Sequence, residues 1–260
     1  MNEKPEITHS QTQDLRSLVR IRRRGMMIYA LPNLFTSANL LLGYLAILFS
    51  VDGRFIRAAW TIFLAAIFDT LDGRVARLTN TTSKFGVEYD SLCDLVSFGI
   101  APSILIYYAS IKPFGRIGMV AAVIFALCGA LRLARFNVLA AVLPKSYFQG
   151  LPIPMASLTL CASIFFAQEM NIPLEKNPLF LALTIILGLL MVSTLKFPSF
   201  KDVQLRKRRG FTALGITLAI IIALISWFEV MAFVLFISYI SISILLDLWR
   251  SRPRGKTKSL

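Results

Sequence analysis

Eight long apolar blocks, divided by short polar or basic links, take up most of the chain. They run approximately over Pro32–Val51, Arg57–Leu71, Tyr89–Ser110, Gly118–Leu139, Pro152–Gln168, Pro178–Leu195, Phe211–Trp227 and Val230–Leu248. Each approaches the roughly 20 residues that a helix needs to cross the hydrocarbon of a bilayer. In lipid every backbone N–H and C=O must be satisfied internally, which leaves helices or closed barrels. These blocks are too long and too uniformly apolar for barrel strands, which alternate. The expectation is therefore an all-α polytopic transmembrane bundle of about eight helices. The second block is the least regular, because it runs straight into charged residues. Composition agrees: 56% of the 260 residues are hydrophobic and 16% charged, against about 25% charged in soluble domains.

The net charge of +14 would suggest nucleic acid in a soluble protein. Here the basic residues lie between apolar blocks and the aromatics lie within them, so no nucleic-acid surface is expected. With both termini on one side, 23 of the 28 Lys and Arg fall on that side. They include Arg16, Arg20, Arg22, Arg23 and Arg24, the Arg206–Arg209 run and the tail after Arg250. The excess of positive charge in cytoplasmic loops then puts both termini in the cytoplasm of a cell-membrane protein. The segment Asp14–Tyr29 reads either as a basic helix lying on the membrane or as a plain topogenic anchor. No apolar stretch comes early enough for a cleavable signal peptide.

His9 is the sole histidine, which excludes histidine-based triads and multi-histidine metal sites within the chain. Cys93, Cys128 and Cys161 lie in apolar blocks without metal-ligand spacing and read as small buried hydrophobes. The polar chemistry concentrates in Phe68-Asp69-Thr70-Leu71-Asp72-Gly73-Arg74-Val75-Ala76-Arg77 and, beyond it, Gly86, Asp90 and Asp94. Asp69 and Asp72 stand at i, i+3, and Asp90 and Asp94 at i, i+4, so each pair shares a helix face. Carboxylates near hydrocarbon need compensation. Pairing with Arg74, Arg77 and Lys84 would make the cluster purely structural. Four hard oxygen donors on two facing helices suit Mg²⁺ or Mn²⁺ better, and two such ions can clamp a pyrophosphate. Gly73 leaves room for a close ligand, and Arg77 offers a fork for phosphate. A third reading, a cation transporter, would spread acidic residues through the bundle, whereas these crowd one face.

The pattern Asp-x2-Asp-Gly-x2-Ala-Arg-x8-Gly-x3-Asp-x3-Asp, filled by Asp69, Asp72, Gly73, Ala76, Arg77, Gly86, Asp90 and Asp94, resembles the signature of the CDP-alcohol phosphotransferase family. The resemblance implies a six-helix catalytic core over residues 32–195. Outside it lie a basic N-terminal segment (1–31), a basic loop (196–210), a C-terminal hairpin (211–248) and a basic tail (249–260). It implies that Asp69, Asp72 and Asp90 bind metal, and that Asp94 also faces the metals and takes the acceptor's hydroxyl proton. It further implies that Asn33, Thr36, Asp69, Gly73, Arg77 and Ser83 contact the CDP-linked lipid, and that CMP leaves. Family members are often dimeric, so a homodimer is a candidate assembly among membrane lipids.

The signature does not choose the acceptor. Arg132 and Arg135, in Leu131-Arg132-Leu133-Ala134-Arg135-Phe136-Asn137, stand at i, i+3 and are suited to clamp a carboxylate. They read equally as topogenic charges. That run, Phe148-Gln149-Gly150-Leu151-Pro152-Ile153-Pro154 and the context Tyr89–Gly99 are similar to integral-membrane phosphatidylserine synthases. The implied reaction is CDP-diacylglycerol plus L-serine to phosphatidylserine and CMP. Glycerol 3-phosphate and an inositol phosphate are the alternative acceptors.

Overall fold

The computed structural model describes residues 33–79, 83–139, 147–198 and 227–251. Within them lie seven helices: α1 (Asn33–Val51), α2 (Phe55–Leu78), α3 (Lys84–Phe114), α4 (Arg116–Leu139), α5 (Ile153–Glu169), α6 (Pro178–Val192) and α7 (Phe228–Ser251). The block expected over Phe211–Trp227 lies outside the described residues except for Trp227, and the segment Asp14–Tyr29 lies wholly outside them. Four helices (α1, α3, α4 and α7) are long and apolar enough to cross a membrane. Together with the shorter apolar α5 and α6 they form a multi-pass helical bundle.

The connections at the end far from the acidic residues are tight. Gly53 and Gly115 adopt φ of +75° and +59° in the α1–α2 and α3–α4 turns, conformations that cost glycine no Cβ clash. At that end α7 is anchored by aromatic packing. Trp60 of α2 stacks on Phe228 at 4.8 Å and lies 4.9 Å from Phe165 of α5.

Two helices exceed the expected bounds. The acidic signature does not end α2, which continues as helix to Leu78. Lys84–Phe114 is one 31-residue rod, because Ser83 caps it: its Oγ accepts the Gly86 N–H at 2.9 Å and satisfies a donor of the first turn. Within this rod the hydrogen bonding switches to π over Leu95–Ile100 and Tyr107–Ile111. Such widened turns are frequent at functional sites, and the first follows directly on Asp94.

By contrast α5 and α6 have 17 and 15 residues, about 25 and 22 Å at 1.5 Å per residue. Both fall short of the roughly 30 Å hydrocarbon. At the acidic end they are joined by an antiparallel ribbon, β1 (Tyr147–Gln149) with β2 (Lys196–Pro198), in the register Tyr147↔Pro198, Phe148↔Phe197 and Gln149↔Lys196. The strand begins where a basic loop was expected, and α6 stops at Val192 because Ser193 turns to ψ 162°. Gly150 N and Leu151 N donate to Leu195 O (2.9 Å) and Leu190 O (3.0 Å). The ribbon thus pairs backbone that short helices leave near membrane depth, where lipid cannot satisfy it.

The core is built on close helix approaches. A Cβ at Gly43 of α1 would strike Ser97 of α3. One at Gly129 of α4 would come within 2.6 Å of Ile153 Cδ1 of α5, and Gly99 of α3 lies alongside. Phe98, Phe125, Phe165 and Phe197 are fully buried between these contacts. Small residues at crossings let backbones approach closely, which drives helix association in lipid.

Candidate active site

Asp69 and Asp72 project from α2 one turn apart, and Asp90 and Asp94 from the facing turns of α3. Asp69, Asp72 and Asp90 each bring an oxygen within 4.8 Å of the others. Asp94 joins them through a carboxyl–carboxyl contact with Asp69. The four residues inferred from the spacing therefore converge.

The structure decides against a closed salt-bridge cluster. Arg77 Nε donates to the Gly73 carbonyl at 2.7 Å instead of to a carboxylate, and its side chain is exposed. Among the described residues, no ion pair joins Arg74, Arg77 or Lys84 to the four aspartates. The Oδ1 of Asp90 is buried without a partner. Crowded carboxylates, one orphaned buried oxygen and, among the described residues, no ion pair from Arg74, Arg77 or Lys84 fit a bound divalent metal, for which these are the appropriate hard donors. The three clustered carboxylates can hold a metal ion.

Helix α1 supports both acidic helices. Thr36, Asn39, Gly43, Ala46 and Ser50 recur at three- and four-residue spacing and form its buried face. Thr36 Oγ1 donates to Asp72 Oδ2 at 2.8 Å, and Asn39 Nδ2 donates to Asp94 Oδ1 at 3.1 Å. Ser97 Oγ returns a bond to the Asn39 carbonyl at 2.9 Å. Asn33 lies beside Gly86: a Cβ there would be 3.7 Å from Asn33 Oδ1. Ser37 and Tyr89 hydroxyls meet at 2.9 Å. Sequence reasoning missed Asn39 and Ser97. An asparagine three residues after Thr36, inside an apolar block, was the available signal for the first. Nothing local marks Ser97, whose partner is 58 positions away.

Of the other residues singled out, Gly73 has open space over its Cα, with nothing within 4 Å of an added Cβ. Ser83 uses its hydroxyl as the α3 cap. The two arginines of α4 separate sharply. Arg135 donates to the carbonyls of Gln149 (2.8 Å), Val192 (3.0 Å), Ser193 (3.0 Å) and Met191 (3.5 Å). Its guanidinium binds the ribbon and the α6 terminus. Arg132 is 7% exposed, and its Nε has no partner. It lies over the Phe136 ring at 5.2 Å and within Coulomb reach of Asp94. Asn137 Nδ2 donates to Ser91 Oγ at 3.0 Å and ties α4 to α3 at this level. An apolar cavity of about 410 Å³ between α3 and α4, lined by Leu95, Tyr107, Ala122 and Ala126 among others, includes none of the four aspartates.

Comparison with known proteins agrees with this geometry. Residues 29–194 match the CDP-alcohol phosphatidyltransferase family. The chain is 44% identical over 179 residues to the CDP-diacylglycerol–serine O-phosphatidyltransferase of Helicobacter pylori, covering 68% of this chain and 75% of that protein. It is 38% identical over 172 residues to the protein of the same name from Bacillus subtilis, covering 66% of this chain and 91% of that one. It is 41% identical over 171 residues to the archaetidylserine synthase of Methanothermobacter thermautotrophicus, covering 65% and 70%. The acidic signature lies inside the matched span on the helices that bring it together, and the chain belongs to the CDP-alcohol phosphatidyltransferase family.

Proposed function

We propose that this chain transfers the phosphatidyl group of CDP-diacylglycerol to L-serine, giving phosphatidylserine and CMP. The observation that carries this reading is the convergence of Asp69, Asp72, Asp90 and Asp94 beside a buried arginine with a free donor, Arg132. The names of the relatives in bacteria and archaea support serine as the acceptor.

Asp69, Asp72, Asp90 and Asp94 would hold Mg²⁺ or Mn²⁺, two ions in this reading, which supply charge neutralisation for the donor's pyrophosphate. Asn33, Thr36, Gly73, Arg77 and Ser83 surround the nucleotide end of the donor. Open space over Gly73 lets phosphate approach the helix, and Arg77 is exposed beside it. Arg132 binds the serine carboxylate, since the guanidinium of Arg135 is already occupied by four carbonyls. Asp94 takes the proton from the serine hydroxyl. The serine oxygen forms a bond to the lipid-bearing phosphorus, the bond from that phosphorus to the bridging oxygen breaks, and CMP leaves with that oxygen. Acyl chains stay in lipid while the polar steps run at the end of the bundle.

The distribution of basic residues supports both termini and the site on the cytoplasmic side of the cell membrane. Residues 32–195 would form the catalytic core, and α7, the described helix of the C-terminal hairpin, packs on α2 and α5. Homodimerisation is part of this reading by family likeness alone. The deciding experiment offers purified protein CDP-diacylglycerol with L-serine, glycerol 3-phosphate or inositol phosphate. CMP release is expected with serine and Mg²⁺ or Mn²⁺ only. Release with another acceptor and none with serine would reject the assignment.

A further inference from the structure

We propose that Asn39 is a positioning residue for proton transfer: it holds the Asp94 carboxylate, through one oxygen, in the orientation in which it receives the acceptor's proton. This rests on the assignment of Asp94 as proton acceptor. Asn39 is fully buried on α1, one turn beyond Thr36. A buried polar side chain there is costly without a hydrogen bond. Its amide meets that requirement at one atom, Asp94 Oδ1, 3.1 Å away.

The backbone that carries this amide is fixed, while the amide's own Oδ1 is buried without a hydrogen-bond partner. Ser97 donates to the Asn39 carbonyl, and Gly43, one turn along α1, lies so close to Ser97 that no side chain fits between the helices. Ser97 belongs to the π-turn that begins directly after Asp94. One contact patch on α1 thus locks both the backbone that follows Asp94 and the carboxylate of Asp94. The donor points at an acidic side chain that Asp69 and Asp90 already crowd, where a rotation about χ would otherwise relieve repulsion. Misplacing a reacting group by about 1 Å costs on the order of 10²-fold in rate. The effect of Asn39 should therefore fall on turnover.

Asn39→Leu, which keeps the branching of asparagine without its donor, and Asn39→Asp, which keeps its volume, test this. Each should lower kcat at least tenfold while KM for serine stays within about threefold. Binding of CMP with Mn²⁺, followed by calorimetry, should be retained, as should the thermal midpoint to within a few degrees. Asn39→Asp should lose at least as much as Asn39→Leu, because it replaces the donor by a fifth carboxylate. The proposal is overturned if either folded variant keeps kcat within twofold of wild type. It is equally overturned if the loss appears in serine KM or in CMP binding, or if neither variant folds, since Asn39 would then serve binding or structure. Full turnover in Asp94→Asn would instead remove the underlying assignment.

Discussion

At the scale of single residues, the site is a set of buried polar atoms sorted by who already has a partner. Asp94 is held by Asn39 and touches Asp69, so its replacement by asparagine preserves shape while removing the proposed proton acceptor. Asp94→Asn should reduce CMP release by at least 10³-fold and leave metal-dependent donor binding largely intact. Equilibrium binding of CMP beside single-turnover chemistry measures both. The two arginines of α4 should behave differently. Arg132→Gln should raise serine KM tenfold or more with little change for the donor, as expected when a charge-assisted contact to a carboxylate is lost. Arg135→Leu leaves four carbonyls without their donor. It should cost about 2–4 kcal/mol of stability, seen as a lowered thermal midpoint in detergent, with no selective rise in serine KM.

At the scale of elements, α3 carries most of the design. Its polar start is capped by Ser83, its acidic turns face α2, and its π segment meets α1 at Gly43 and α4 at Gly129. These crossings depend on absent side chains. Gly129→Leu drives carbon into Ile153, and such overpacking typically costs about 1–3 kcal/mol. The expected result is a lower midpoint together with reduced turnover, because α3 and α5 shift the acidic face. A midpoint equal to wild type would show that the α4–α5 crossing is slack. The ribbon between α4 and α5 and after α6 is the other telling element. Short helices require it, and Arg135 completes it. Runs of apolar sequence marked the short α5 to within a residue but not that α6 stops at Val192. This is why Lys196–Pro198 read as loop and proved to be strand.

For the whole molecule, the acidic ends of α2 and α3, the buried Arg132 and the ribbon all lie at one end of the bundle. The aromatic anchor of α7 lies at the other. A cation-transport site would distribute its carboxylates along a path, and this arrangement does not. Chelation should abolish CMP release, and restoring Mg²⁺ or Mn²⁺ should return it. A residual rate in chelator near the untreated value would disprove metal dependence. Both termini should be labelled by impermeant reagents only in inside-out vesicles. Labelling from the outer face would overturn the orientation read from the basic loops.

The helical class, seven of the apolar blocks and the grouping of the aspartates were legible from sequence alone, because hydrophobic length and the i, i+3 and i, i+4 spacings are local properties of a chain in lipid. What the fold alone decided is non-local. Asn39 reaches Asp94 across 55 positions, and Ser97 closes on α1. Arg135 is occupied by the backbone of two distant segments while Arg132, three residues earlier, keeps a buried Nε without a hydrogen-bond partner among the described residues. Two arginines of equal charge and spacing cannot be told apart along a helix. The partners that distinguish them come from other helices, and only packing brings those partners near.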